Sequence, residues 1–264
     1  MTIQKFIIAT YNVNSLRSRL HIVIPWLQKT NADVLCLQET KVRDEEFPAD
    51  AFKDIGYNIV FRGQKAYNGV AVASRHAISN AEFGLGDPQN SPEDEARLIH
   101  CIISGIAIIN SYVPQGRAVD HPAFQYKLDW YRRLKRLFME RYMGRMPLVW
   151  CGDLNIAPEP EDVYDPEGLE DHVCFHIKAR TAFKDVKDLG LVDIFRKFNP
   201  GPGHYTFYDY RAPNGIKRGI GWRIDHILAT NDMAEKATSA FIDMDTRLAE
   251  KPSDHAILAA EFSA

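Results

Sequence analysis

Five short apolar, β-prone runs in this chain end in, or lead straight into, clusters of acids and amides. The clusters read Tyr11-Asn12-Val13-Asn14, Leu37-Gln38-Glu39-Thr40-Lys41, Gly152-Asp153-Leu154-Asn155, Trp222-Arg223-Ile224-Asp225-His226 and Ser253-Asp254-His255. Polar groups at strand ends sit on loops held by a rigid scaffold, where catalytic groups concentrate. Together these tips offer hard oxygen ligands for a divalent cation, a base for water and donors for a phosphoryl group. The spacing predicts strands over 5–11, 33–38, 57–61, 69–74, 78–84, 97–103 and 106–112. Asn68-Gly69 and Ser104-Gly105 serve as turn material between neighbouring runs. Further strands are predicted over 147–151, 204–208, 222–229, 236–243 and 255–262.

Helices are predicted over 19–29, 122–143 and 178–188. In the long one Phe124, Leu128, Tyr131, Leu134 and Phe138 recur at helical spacing. Residues 156–176, rich in Pro, Asp and Glu, read as a long surface loop. So many strands, several joined by hairpins rather than helices, disfavour a doubly wound parallel sheet. They favour two sheets packed face to face with helices outside.

The 264 residues are 45% hydrophobic, enough for one large core, so 1–264 is expected to form a single domain. No apolar run reaches the roughly 20 residues that span a bilayer. The opening Met1-Thr2-Ile3-Gln4-Lys5-Phe6 is too short an apolar stretch for an export signal. A cytoplasmic location with no membrane partner is the expectation. Cys36, Cys101, Cys151 and Cys174 form no CxxC pair and read as buried free thiols. The net charge of −3 argues against coating nucleic acid by bulk electrostatics. A local basic rim with a bound cation still holds a phosphate backbone. Rim candidates include Arg17, Arg19, Lys41, Arg117, Lys217, Arg218 and Arg223.

Each cluster alone also has an ordinary structural reading. Asp153 and Asn155 suit a turn after Gly152, Glu39 a surface pair with Lys41, and Asn12 and Asn14 turn chemistry. Asp225 and His255 suit a structural pair, and Tyr112 a core aromatic with a wet tip. The functional readings are a magnesium ligand at Glu39, a base for water at Asp153 and a phosphate donor at His255 held by Asp225. The combination favours the functional readings, with Glu39 and Asp153 expected at exposed loop edges.

In order and spacing these motifs resemble the exonuclease III family of AP endonucleases, within the wider endonuclease–exonuclease–phosphatase superfamily. The resemblance rests also on Asn68-Gly69-Val70-Ala71-Val72-Ala73-Ser74-Arg75, Ser111-Tyr112-Val113-Pro114-Gln115-Gly116 and Tyr205-Thr206-Phe207, and covers nearly the whole chain. It implies a four-layer α/β sandwich: two mixed, mostly antiparallel sheets flanked by helices. It implies Mg²⁺ as cofactor, with Mn²⁺ able to substitute, held by Glu39 with Asn14 and Asp254 near the metal. Asp153 would activate the attacking water, oriented by Asn12 and Asn155. His255, held by Asp225, and Tyr112 would contact the scissile phosphate from two sides. Phe207, Trp222 and Ile224 would wall a pocket for the abasic sugar.

The implied partner is double-stranded DNA with abasic sites, nicks or 3′ ends, bound by a monomer. The implied reaction cuts on the 5′ side of an abasic site, removes 3′-phosphates or trims 3′ ends. Tyr208 stands where many members carry Trp. Ungapped counting from Asp153 puts His172, with Leu169 nearby, where some members have Asn. A bulky ring at 172 would block a continuous strand yet admit a strand end, so 3′-end processing is expected to rival internal incision. Two other readings compete: a lipid or inositol-phosphate phosphodiesterase of the same superfamily, and a non-catalytic DNA-binding module.

Overall fold

The computed structural model describes residues 5–86 and 96–263. Met1-Thr2-Ile3-Gln4, weighed above as an export signal, lies outside the described residues. Strand β1 (Lys5–Asn12), helix α1 (Leu16–Thr30) and strand β2 (Val34–Gln38) form a β-α-β unit in which β1 and β2 pair in parallel. After a short α2 (Ala49–Lys53), β3 (Asn58–Arg62) and β4 (Val70–Ser74) join the same sheet. The second sheet begins with β5 (Ile78–Phe83), β6 (Leu98–Ile103) and β7 (Ile106–Tyr112). Helix α3 (Pro122–Arg141) then carries the chain to β8 (Leu148–Asp153), parallel to β7.

Beyond α4 (Ile177–Lys187), β9 (Leu191–Asp193), α5 (Ile194–Phe198) and α6 (Gly215–Arg218) comes β10 (Asp225–Thr230), antiparallel to β8. Helix α7 (Asn231–Lys236), β11 (Ala237–Asp243), α8 (Asp245–Leu248) and β12 (Ile257–Ser263) return the chain to the first sheet. The sheet orders are β11-β12-β1-β2-β4-β3 and β5-β6-β7-β8-β10-β9. Each sheet has one parallel pair, β1/β2 or β7/β8, and antiparallel neighbours elsewhere. This is the expected four-layer α/β sandwich.

Strand alternation builds the layers. Ile8, Val34, Cys36, Ile108, Val149, Cys151, Ile227 and Leu258 pack in the core between the sheets. Their neighbours Ala9, Tyr11, Leu35 and Leu37 turn outward beneath α1. On the other side Ile109, Leu148, Trp150 and Leu228 turn outward to meet α3 and α4. Burying each large apolar side chain contributes roughly 1.5–3 kcal/mol. The four cysteines are free and buried, as expected. Along α3, Phe124, Tyr131, Leu134 and Phe138 form the buried stripe, with Leu128 partly buried at its edge.

Four expectations are corrected. Residues 204–208 form no strand; Phe207 makes isolated bridges to Trp222 and His255. The Thr206 hydroxyl accepts from the Ile224 and Asp225 amides, so a side chain takes the place of a ladder there. For the same reason the strand predicted over 222–229 starts only at Asp225. The 156–176 segment is no free surface loop: Val163 bridges to Trp222, and Ala157 N–H donates to the Cys174 carbonyl. Finally, Arg223 is no rim residue. It is 1% exposed and held by Asp162, from that segment, and by Asp193.

Candidate active site

Period-two alternation aims the polar tips at one place. In β1 the inner-face positions run Ile8, Thr10, Asn12; in β8 they run Val149, Cys151, Asp153. Strand register sets Asp153 opposite Tyr112 on one side and Asp225 on the other. Asn12 lies opposite Gln38, the last residue before Glu39. The site is therefore the polar end of the core between the sheets. Beneath it Gln38 donates to Asn110 Oδ1 (2.7 Å) and Thr10 Oγ1 (2.9 Å), a buried polar floor joining the sheets.

Asn12 is the hinge pin. Its Nδ2 donates to Glu39 Oε1 and to Asp153 Oδ2, both at 2.8 Å. One amide from the first sheet thus ties both acids into a single cavity. Asn155 Nδ2 donates to the Val113 carbonyl at 3.0 Å, and its backbone N–H donates to Asp153 Oδ1 at 3.0 Å. His255 Nδ1 meets Asp225 Oδ2 at 2.8 Å, leaving Nε2 3.9 Å from Asp153 Oδ2. Ser253 fixes the last tip, donating to the Asn12 carbonyl at 2.7 Å and accepting from His255 N–H.

The backbone here sits in the left-handed region at Asn14, Glu39, Lys41 and Asn155. Such residues each cost about 1–3 kcal/mol and cluster at functional sites. Gly152 has φ 141°, and an added Cβ would lie 1.9 Å from the Ser111 carbonyl oxygen, so only glycine fits before Asp153.

The expectation of exposed loop edges is corrected. Asp153 is 2% exposed and the Glu39 side chain 18%. Asp153 ends a strand of the central core and Glu39 directly follows one, which sinks both tips. Burial pushes the Asp153 carboxyl up to about 7; Asp225 and Glu39 add to the rise, while His255 and Asn12 oppose it. Burial also works against charge on His255, but Asp225, hydrogen-bonded to it, and then Asp153 carry it up to about 10. Burial raises Tyr112, reinforced by the charges of Glu39 and Asp153, so its phenol stays protonated; it hydrogen-bonds to Glu39.

The Glu39–Lys41 pair forms, but partly buried rather than on the surface. Lys41 Nζ does pair with Glu39 Oε2 at 2.7 Å, and also donates to Asn14 Oδ1 at 2.6 Å. Burial opposes the Glu39 charge, yet Lys41 and Asn12 outweigh it and hold the carboxyl below its usual value. The ammonium marks a spot between hard oxygens that calls for a cation. Asp254 Oδ1 closes the group by accepting from Asn14 Nδ2 at 3.1 Å. No three Asp, Glu, His or Cys side chains among the described residues form a metal cage. Magnesium keeps several waters and needs only one or two carboxylates, so this donor set fits it.

Of the sugar-pocket candidates, Trp222 and Phe207 pair through an isolated bridge, and the Phe207 ring lies 5.0 Å from His255. Ile224 is buried in the α3-side core and accepts from Leu154 N–H through its carbonyl. The His172 ring packs against Trp222, with centroids 4.5 Å apart and the ring planes tilted by 39°. Lys41, in the sequence a rim candidate and a partner for Glu39, sits within the site itself. Lys127 carries no signal of a site role in the sequence, because it falls inside the apolar stripe of α3.

A carboxylate able to take a proton, a protonated imidazole and phenol, and an oxygen-rich cation site at one end of a two-sheet sandwich define a phosphoester hydrolase. The chain belongs to the Endonuclease/Exonuclease/phosphatase family, which matches residues 9–255. It is 33% identical to the exodeoxyribonuclease III of Haemophilus influenzae, across 98% of this chain and 99% of that one. It superposes on an AP endonuclease from Archaeoglobus fulgidus with TM-score 0.95 and 51% identity, covering 98% of this chain and 100% of the other. A 3′-5′ exonuclease, NExo, from Neisseria meningitidis matches with TM-score 0.92 and 40% identity, covering 98% and 100%. A variant of the 3′ phosphatase NExo from Neisseria, bound to a product DNA hairpin, matches with TM-score 0.93 and 40% identity, covering 98% of this chain and 100% of that one. The helices among the described residues include none long and apolar enough to cross a membrane.

Proposed function

We propose that this protein hydrolyses DNA phosphodiesters on the 5′ side of abasic sites and processes 3′ ends, with Asp153 as base and His255 as phosphate donor. It is a DNA-repair nuclease of the exonuclease III and AP endonuclease type, in a family of metal-dependent nucleases. The observation that carries the reading is the Asn12 amide shared between Glu39 and Asp153.

Asp153 takes the proton from a water as its oxygen attacks phosphorus in line. Asn12 and Asn155 hold the carboxylate in place for that transfer. His255, protonated and steered by Asp225, donates through Nε2 to a phosphoryl oxygen. Tyr112 donates its phenol from the other side. The P–O3′ bond breaks and the leaving sugar 3′-oxygen takes a proton from solvent water, giving a 3′-hydroxyl. Glu39, Asn14 and Asp254 would hold Mg²⁺, or Mn²⁺ in its place, with Lys41 giving up its contacts. When bound, the cation stabilises charge on the phosphoryl and leaving oxygens. We place the protein in the cytoplasm, acting as a monomer and as one domain over 1–264.

His172 favours a second emphasis within this function. Its ring lies on Trp222, the proposed wall of the sugar pocket, and Phe207 covers His255 beside it. That arrangement suits a strand end better than a continuous strand. The test uses end-labelled duplexes bearing an internal abasic analogue, a 3′-phosphate nick or a plain recessed end, with Mg²⁺ and with chelator. We expect cleavage that vanishes with chelator, and 3′-phosphate removal at least as fast as internal incision. Metal-independent cleavage would sink the cofactor assignment. A much faster internal cut would remove the role given to His172.

A further inference from the structure

Lys127 occupies a core position. It follows Phe124 by three residues and precedes Tyr131 by four, so it lies in the buried stripe of α3, and it is 0% exposed. Lysine in such a stripe normally snorkels its ammonium to water. This one has no route out. Its three N–H donors meet three backbone carbonyls: Asn155 at 2.7 Å, Val173 at 2.7 Å and Gln115 at 3.2 Å. No salt bridge to a carboxylate accompanies it among the described residues.

The three carbonyls belong to three different loops. Asn155 is in the turn that carries Asp153. Val173 follows His172. Gln115 lies three residues beyond Tyr112. The loops are also drawn in around the lysine stem. At Gly116, φ 103°, an added Cβ would meet Phe124, the Lys127 Cδ at 3.4 Å and Val173. A Leu here would satisfy the core without burying a charge, and burying an ammonium against dipoles alone is costly. The cost makes sense if the three loops must hold one height relative to each other.

We propose that Lys127 is a positioning residue that fixes the His172 loop against the Asp153–Asn155 turn and thereby sets the choice between strand ends and continuous strands. The proposal rests on the reading of His172 given above. Losing the three-way donor frees the Val173 carbonyl, lets the His172 ring lift from Trp222 and opens the wall to a continuous strand. The same loss loosens Asn155 and slows both reactions.

The experiment measures kcat/KM on the internal abasic analogue and on the 3′-phosphate nick for wild type, Lys127→Met, Lys127→Arg, His172→Ala and the Lys127→Met/His172→Ala pair. Lys127→Met should raise the internal-to-end ratio about tenfold while lowering both rates. Lys127→Arg, which keeps the donors, should return most of the wild-type ratio. With His172→Ala already in place, Lys127→Met should change the ratio less than about threefold, since coupled residues do not add. Equal loss on both substrates in Lys127→Met, or a ratio shift undiminished in the pair, overturns the proposal. No ratio change in His172→Ala alone overturns the reading of His172 instead. If Lys127→Met fails to fold, Lys127→Gln, which keeps two donor protons, carries the same comparison.

Discussion

Asp225 and His226 are adjacent in β10 yet belong to opposite faces and to two unlike clusters of buried charge. Asp225 faces the core between the sheets and holds His255. His226 faces outward, accepts from Arg223 Nη1 through Nδ1 (3.0 Å) and donates from Nε2 to the Ile156 carbonyl. On that outer side Arg223 binds Asp162 through Nε (2.7 Å) and Asp193 through Nη2 (2.8 Å), and Arg196 also reaches Asp162. Every strong charge there has an opposite partner. Burial would raise the Asp193 carboxyl, but Arg223 and His226 hold it far below the usual range; Asp162 is likewise lowered.

The inner cluster is unbalanced. Among the described residues, Glu39, Asp153, Asp225 and Asp254 have only Lys41 and His255 within ion-pair distance. Asp225 Oδ1 is buried with no hydrogen-bond partner among the described residues. One network is satisfied and structural, tying the 156–176 segment to the sheet. The other keeps excess negative charge, which is what a cation and a phosphate-bound reaction need. The lesson is that burial alone does not mark function; unmet demand within the buried set does.

The sharpest way to break this contrast is Asp153→Asn. It should lower kcat/KM on the order of 10³–10⁴-fold. Removing one of the crowded acids should leave the Tm unchanged or raise it. A Tm drop with most activity retained would reverse the roles of the two clusters. Arg223→Met should do the opposite. Leaving Asp162 and Asp193 buried without their partner should cost about 3–5 kcal/mol of stability. At a temperature where the variant stays folded, its kcat should remain within about tenfold of wild type.

Much of the inner cluster could be read in the chain, because alternation fixes which residues share a face. Ile8, Thr10 and Asn12 alternate with outward apolar residues, and so do Cys36 with Gln38 and Cys151 with Asp153. The outer network could not be read this way. Arg223 and Asp162 lie 61 residues apart, and neither sits in a periodic run. Arg223 therefore looked like one more surface cation. Strand β9 and helix α5, three and five residues long, are too short to show a period. Lys127 was hidden for a different reason: its position is correct for core, but its residue type argues for surface.

A smaller effect tests the link between the clusters. Asp225→Asn should cost about 10²-fold in kcat, since His255 loses the partner that orients it. Without the Asp225 charge the imidazolium loses its largest support. The His255 pKa should fall from about 10 toward its ordinary 6.5, which a histidine NMR titration reads directly. An unmoved titration would show that Asp225 does not hold the proton. The outer carboxylates give the matching acid test. Their folded values lie below the ordinary 3.8, so their stabilisation is full above that pH and is lost as pH falls through the lower values. Asp193→Asn should lack that share above pH 3.8 and show a shallower acid decline.

The smallest predicted effect reads the inner imbalance without any turnover. With its carboxyl near 7, Asp153 carries roughly half a proton at neutral pH. A divalent cation among Glu39, Asn14 and Asp254 adds positive charge beside that carboxyl and favours its ionised form. Binding should therefore release about half a proton per cation at pH 7. His255 contributes little at pH 7, because its value near 10 keeps it protonated on both sides of the step. Calorimetry in two buffers of different ionisation enthalpy gives the proton count, and Asp153→Asn should abolish it. Release that persists in Asp153→Asn would assign the proton to another group and remove the claim that the acids at the strand tips share one unmet charge.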